Sequence, residues 1–327
     1  MVATFGFVFP GQGSQSPGML DAWGDHAAVR ETLDEASQAL GEDTAALIRN
    51  GPKERLELTT NTQPVMLTAG IACYRAWLAE TGLAPAVVAG HSLGEYSALV
   101  AAGALSLSDA LPLVRLRAQA MQEAVPVGAG AMAAILGLDA AAVRTGCEQA
   151  AAETGEVVAA ANYNDPKQTV ISGTRAGVDK ACELLKAAGA KRALPLPVSA
   201  PFHCSLMRPA AERLKPLLAK AAFAPPRIAV VNNVDVHVET DPDAIRDALY
   251  RQAFGPVRWV EVIEAMRARG VTHVVECGPG RVLAGMVKRI DGELVAAALQ
   301  DPASLRETQA LLALHPDPLP AGAGALT

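Results

Sequence analysis

The run Gly90-His91-Ser92-Leu93-Gly94 restricts what this chain can fold into more than any other five residues in it. It follows Ala86-Val87-Val88-Ala89, which reads as a short buried strand, and precedes Glu95-Tyr96-Ser97-Ala98-Leu99-Val100, which reads as a helix. A serine on so tight a strand-to-helix turn is pushed into the open, and its neighbours two residues to either side must be small. Glycines at 90 and 94 meet that condition, and the first turn of the helix offers unpaired N–H groups to an oxyanion. The pattern predicts an α/β sheet with a nucleophilic Ser92 at a strand end. The plainer reading is a glycine-flanked turn whose serine only caps a helix, and the rest of the chain must decide between the two.

Composition narrows the class. Of 327 residues half are apolar, 19% are charged and only 4% are aromatic, with alanine supplying much of the apolar half. That favours helices packed closely on a sheet over a β-sandwich, and the length is about two domains' worth at roughly 100–200 residues each. A net charge of −6 with no Lys/Arg run argues against nucleic acid as a partner. Five scattered cysteines with no CxxC predict reduced, mostly buried thiols. The start, Met1-Val2-Ala3-Thr4-Phe5-Gly6, lacks the marks of a secretion signal. The uncharged run 124–138 is broken by Gly and Pro and is shorter than the ~20 residues of a spanning helix. The expectation is a soluble, cytoplasmic protein without a membrane partner.

Strands and helices alternate along the first third: a strand at 5–9, helices near 27–40 and 64–80, the turn at 86–94, and a helix over about 109–122 with Ser106 and Asp109 at capping-box spacing. Such alternation implies a mainly parallel sheet. After Gly128-Ala129-Gly130 the order becomes strand (132–136), helix (140–152), strand (157–161), turn (164–166), strand (169–172), helix (175–188), strand (192–196). This βαββαβ order is the ferredoxin-like arrangement, and it reads as a small domain over 127–199 inserted into a main domain of 1–126 and 200–310. A strand at 228–231, a helix near 257–269 and a strand at 271–276 continue the main domain, and residues 311–327, rich in Pro, Gly and Ala, are expected to be a disordered tail.

A serine hydroxyl is a poor nucleophile until a base takes its proton. Among six histidines His203, in Val198-Ser199-Ala200-Pro201-Phe202-His203 where the chain re-enters the main domain, is the strongest candidate. His91 adjoins Ser92, but neighbours on such a turn point apart. No acid between 92 and 203 follows a main-domain strand, so the third member of a triad is missing, and a backbone carbonyl can orient the imidazole in its place. The loop Gly11-Gln12-Gly13-Ser14-Gln15-Ser16 fails as a dinucleotide fingerprint, because its third glycine is Ser16. Its backbone N–H groups instead suit the second half of an oxyanion hole beside Leu93 N–H. No metal-ligand spacing is present, so no metal is predicted. Arg115 and Arg117 lie two residues apart on a leucine-rich helix and face nearly opposite sides. Either guanidinium suits a carboxylate, and an internal salt bridge accounts for either equally well.

Taken together, Phe7–Gln15, Gly90–Ala98, Met121–Pro126, Lys191–Ser199, Val231–Val234 and Glu276–Gly280 resemble the malonyl-CoA:acyl carrier protein transacylases of bacterial fatty acid synthesis, in order and with similar spacing over about residues 4–300. The resemblance implies an α/β-hydrolase-like main domain with an inserted ferredoxin-like one. It implies Ser92 as nucleophile, His203 as base, Gln12 and Leu93 N–H as oxyanion donors, and the Gln252 carbonyl in place of the triad acid. It selects Arg117 to bind the malonyl carboxylate and places Asn162 in the substrate cleft. The partners implied are malonyl-CoA and phosphopantetheinylated acyl carrier protein, with no cofactor and a monomeric enzyme. Lys191, Arg192, Lys288 and Arg289 are the basic residues expected to meet an acidic carrier. Phe202 stands before His203 where other members carry serine, and Phe at this position goes with malonyl rather than methylmalonyl use. The rivals are a discrete acyltransferase of a polyketide synthase, a serine esterase or thioesterase, and a non-catalytic scaffold.

Overall fold

The computed structural model describes residues 4–313 of the chain. The main sheet has the order β7-β2-β1-β8-β9, formed by β1 (Phe5–Phe9), β2 (Val87–Gly90), β7 (Ala229–Val231), β8 (His273–Cys277) and β9 (Val295–Leu299), and every pair in it is parallel. A separate antiparallel sheet has the order β4-β5-β3-β6, formed by β3 (Gly130–Leu136), β4 (Val158–Asp165), β5 (Gln168–Thr174) and β6 (Arg192–Pro195). The architecture is mixed α/β with the two sheets kept apart.

Alternation along β1 explains why helices cover both faces of the main sheet. Phe5, Phe7 and Phe9 join one apolar cluster, while Val8 joins the other with Val87, Ala89, Val231 and Val274. The first cluster is closed by the helix Thr59–Thr81, whose Trp77 ring packs edge-on to Phe7 with centroids 5.5 Å apart. Because the strands are parallel, their C-terminal ends share one rim, which is where open α/β sheets bind ligands. The antiparallel sheet stands over that rim and adds Met132, Asn162, Asn164 and Val170 to its cleft.

Several element limits differ from the expectations. The helix expected over 64–80 begins at Thr59, with Pro64 near its start. The turn expected at 164–166 is displaced because β4 runs on to Asp165 and pairs with Gln168. β9 was not foreseen, because Val295-Ala296-Ala297-Ala298-Leu299 carries no alternation; it is an edge strand held by pairing to β8. The last helix, Pro302–Ala313, passes the expected start of the tail at 311, since Leu305 and Leu312 bury in the first cluster. Residues 314–327, including His315, lie outside the described residues. Among the described residues no helix is long and apolar enough to cross a membrane.

The helix Leu107–Glu123 matters most for the cleft, because it carries Arg117. Ser106 caps it: the hydroxyl accepts from Asp109 N–H at 3.0 Å and donates to the Asp109 carboxylate at 2.6 Å. Replacing Ser106 with alanine should cost about 1 kcal/mol. Urea unfolding should show it as a lower midpoint at unchanged slope; an unchanged midpoint would mean that the cap contributes nothing.

Candidate active site

Ser92 lies two residues past Gly90, the end of β2, with φ at 53°, in the left-handed region, where a non-glycine residue is strained by about 1–3 kcal/mol. The turn leaves no room around it. A Cβ on Gly90 would lie 1.9 Å from the Gly94 carbonyl, and one on Gly94 would lie 2.1 Å from Phe9 O. A Cβ on Gly11 would lie 2.8 Å from His91 O, so the 10–13 loop passes directly beside the turn.

The hydroxyl of Ser92 donates to His203 Nε2 at 2.6 Å. His203 Nδ1 faces two backbone carbonyls, Gln252 O at 3.1 Å and Gly255 O at 3.2 Å. A carbonyl can only accept, so Nδ1 carries the hydrogen and Nε2 is left as the acceptor. His203 has φ at 61°, a second strained backbone at the same site. Burial pushes its pKa down to about 3, helped by the positive charge of Arg117 and by His91. The imidazole is therefore neutral and able to take a proton at any pH near neutrality.

Arg117 lies on the buried stripe of its helix with Ala110, Leu113, Val114 and Met121, whereas Arg115 points off it and pairs with Glu42. The guanidinium of Arg117 is 2% exposed. Nη1 donates to Gln63 Oε1 at 2.6 Å, and Nη2 donates to Gln252 Oε1 at 3.0 Å and to Ser92 Oγ at 3.2 Å. None of these acceptors carries a charge. Burial pushes the Arg117 pKa down, while Tyr96 and Glu95 pull it back up. A buried cation without a carboxylate in contact is a ready partner for one.

A polar layer lies behind the turn. Asn233 Oδ1 accepts from Ser92 N–H and Asn233 Nδ2 donates to Gly90 O, both at 2.8 Å. Glu95, 2% exposed, accepts from Asn233 N–H at 2.9 Å and from Gln252 Nε2 at 3.1 Å. Burial raises its pKa to about 7 against these hydrogen bonds and the nearby charge of Arg117. His91 points away from Ser92, with Nε2 2.9 Å from Asn164 Oδ1.

The cleft in front of Ser92 has a volume of about 360 Å³ and is lined by Gln12, Leu93, Arg117, Asn162, Phe202 and His203 among others. Gln12, Ser92, Leu93, Arg117, Asn162 and His203 thus all border this cleft, while Gln252 lies behind it in contact with Ser92, Arg117 and His203, and Arg115, Lys191, Arg192, Lys288 and Arg289 do not line it. Gln63, Glu95, Asn233 and Gly255 escaped the sequence reading. Asn233 had a signal, since it follows a main-sheet strand at the ligand-binding rim. Gln63 had a weaker one, as a polar residue opening the apolar run 64–77. Among the described residues no three His, Cys, Asp or Glu side chains are grouped to hold a metal.

The acyl transferase domain model matches residues 6–297. The chain belongs to the acyl transferase family. Within it, the malonyl CoA-acyl carrier protein transacylase of Escherichia coli (strain K12) is 55% identical over 302 residues, covering 92% of this chain and 97% of that one. The crystal structure of an acyl-carrier-protein S-malonyltransferase from Burkholderia pseudomallei is 64% identical with a TM-score of 0.91, covering 93% and 99%. A malonyl-transacylase in complex with a type II polyketide synthase acyl-carrier protein is 50% identical, also at 0.91, covering 93% and 98%.

The neutral state of His203 in this acyl transferase has a consequence for pH. An ordinary imidazole is almost wholly protonated at pH 5, whereas one titrating at about 3 is still a base there. Single-turnover acylation of Ser92 should therefore fall by less than about tenfold between pH 7 and pH 5. A steeper loss following a group of ordinary histidine pKa would contradict this account of the site. The same depression works on stability. The unfolded chain takes up the proton first as pH falls through 6.5, so this stabilisation is complete above 6.5 and is lost on acidification toward 3.

Proposed function

We propose that this acyltransferase moves a malonyl group from malonyl-CoA to the phosphopantetheine thiol of acyl carrier protein through a malonyl-Ser92 ester. The observation that carries the reading is the convergence on Ser92 Oγ of a neutral base, His203 Nε2 at 2.6 Å, and a buried cation, Arg117 Nη2 at 3.2 Å. The first makes the hydroxyl a nucleophile; the second selects an acyl group that ends in a carboxylate.

In the first half-reaction His203 Nε2 takes the hydroxyl proton as Oγ bonds to the thioester carbon. The carbonyl oxygen becomes an oxyanion held by the N–H groups of Gln12 and Leu93, each worth about 3 kcal/mol of barrier. Leu93 suits this role as the residue that opens the helix Gly94–Ala101. The carbon–sulfur bond then breaks, and His203 returns its proton to the coenzyme A sulfur. In the second half the carrier thiol gives its proton to His203 and attacks the ester, the carbon–Oγ bond breaks, and Ser92 regains the proton. The Gln252 carbonyl keeps the imidazole oriented throughout, and Asn162 borders the acyl group. No step calls on a cofactor.

On this reading residues 1–126 and 200–310 form an α/β-hydrolase-like catalytic domain, and 127–199 a ferredoxin-like one that roofs the cleft. The strand order β4-β5-β3-β6 supports the second, being the order a βαββαβ unit gives when its halves interleave. Lys191, Arg192, Lys288 and Arg289 are exposed near the cleft roof. Arg289 is paired with Asp165 at 2.7 Å, which leaves the other three to meet an acidic carrier. The polyketide carrier bound to one of the relatives makes service to a polyketide synthase the second reading.

Radiolabelled malonyl-CoA should label the wild-type protein and fail to label Ser92→Ala; a protein that takes no label has a different mechanism. Transfer from malonyl-, methylmalonyl- and acetyl-CoA to fatty-acid and polyketide carriers, with free acid measured alongside, separates the two carriers and the hydrolase. Arg117→Ala should lower kcat/KM for malonyl-CoA on the order of a hundredfold or more, while acetyl transfer holds. Equal losses on both would remove Arg117 as the selector. Charge reversal at Lys191, Arg192 and Lys288 should raise the KM for carrier without changing that for malonyl-CoA; an unchanged carrier KM moves the docking surface elsewhere.

A further inference from the structure

We propose that Glu95 is a positioning residue for the carboxylate clamp, its buried side chain fixing the Gln252 amide so that the amide oxygen faces Arg117. The inference rests on the reading of Arg117 as that clamp. Glu95 does not border the cleft, so any effect it has on substrate must pass through another residue.

A glutamine amide has a donating end and an accepting end. Gln252 Nε2 faces two acceptors, Ser92 O at 2.9 Å and Glu95 Oε2 at 3.1 Å, and Oε1 faces the donor Arg117 Nη2 at 3.0 Å. Turning the amide over would set NH2 against guanidinium and oxygen against carboxylate, so every contact would repel. With Glu95 gone, only Ser92 O still engages the donating end of the amide. Glu95 is itself pinned by Asn233 N–H, and Asn233 spans the turn from Ser92 N to Gly90 O. Outside this layer Arg251 pairs with both oxygens of Asp235 at 2.6 Å, tying the segment before Gln252 to the one after Asn233. The guanidinium that receives the substrate carboxylate is thus aimed by a chain of contacts that begins at Glu95.

The test compares E95L, which removes the acceptor, with E95Q, whose amide oxygen can accept both N–H groups. R117A and Q252L are measured alongside, with malonyl- and acetyl-CoA as donors. E95L should raise the KM for malonyl-CoA about tenfold, the scale of one hydrogen bond to a charged group, with a smaller change in kcat and a matching loss of malonyl-over-acetyl preference. E95Q should restore most of that preference. Q252L should lose it as E95L does, and the E95L/Q252L double variant should be no worse than either alone. If E95L slows both acyl groups alike with KM unchanged, or if E95Q is as impaired as E95L, the positioning role is wrong. If E95L does not fold, Q252L decides, and retention of full malonyl preference there overturns the proposal. Should R117A itself keep the preference, the clamp reading falls first and takes this inference with it, an outcome distinct from failure at Glu95 alone.

Discussion

Gly94 lies so close to the end of β1 that a Cβ there would meet Phe9 O at 2.1 Å, and Gly90 is pressed as hard against Gly94. This contact between the turn and the central strand is the constraint on which the rest depends. It brings the helix Gly94–Ala101 down onto the strand ends, holds Ser92 at positive φ, and sets Ser92 at the cleft. The strain is held by the parallel pairing of β2 between β1 and β7, and by Asn233, which follows β7 and bonds both sides of the turn. A flexible serine loop would lose by rotation what this geometry fixes in advance.

The second organising fact is a charge. Arg117 is buried with only amide, hydroxyl and aromatic partners in contact, and Glu95 reaches it through Gln252. The same cation bonds Ser92 Oγ and helps to hold His203 neutral. Ser92, His203 and Arg117 are therefore not independent parts. On the proposed reading a change at Arg117 alters what the cleft accepts and also the basicity of the imidazole, so substrate preference is a cleaner measure of a selecting role than rate alone.

The parts of this protein that were legible from sequence were those encoded locally. Glycines at 90 and 94, the cap at Ser106 and the alternation of β1 each state their own geometry, and the βαββαβ order of 130–196 follows from short apolar runs with turn residues between them. The site beyond Ser92 was less legible, because its members meet only through the fold. His203 is 111 positions from Ser92 and Gln252 is 160. Its place where the chain re-enters the main domain made His203 the strongest histidine, while family resemblance brought in Gln252 and chose Arg117 over Arg115; residue spacing showed only that the two arginines face apart. Glu95 directly follows the most informative run and drew no reading of its own, since nothing local says that β7 and the helix Pro242–Gln252 will close over it. Strand β9 was missed for the opposite reason: Ala296-Ala297-Ala298 locally favours helix and is a strand through its pairing with β8.

The orientation of His203 by carbonyls also bears on which acceptor an acyl-Ser92 ester would meet. A carboxylate beside Nδ1 would stabilise the imidazolium and make Nε2 a stronger base. Deep burial and a neighbouring cation do the reverse, and the two carbonyls at Nδ1 offset them only in part. For a weak base the ease of proton removal rests with the incoming nucleophile. A thiol, with a pKa of about 8.5, gives up its proton far more readily than water at about 15.7. A base held this weak disfavours water by much more than it disfavours a thiol. The absent triad acid is thus a property that suits transfer, and the turn that most resembles a hydrolase is set in surroundings that slow hydrolysis.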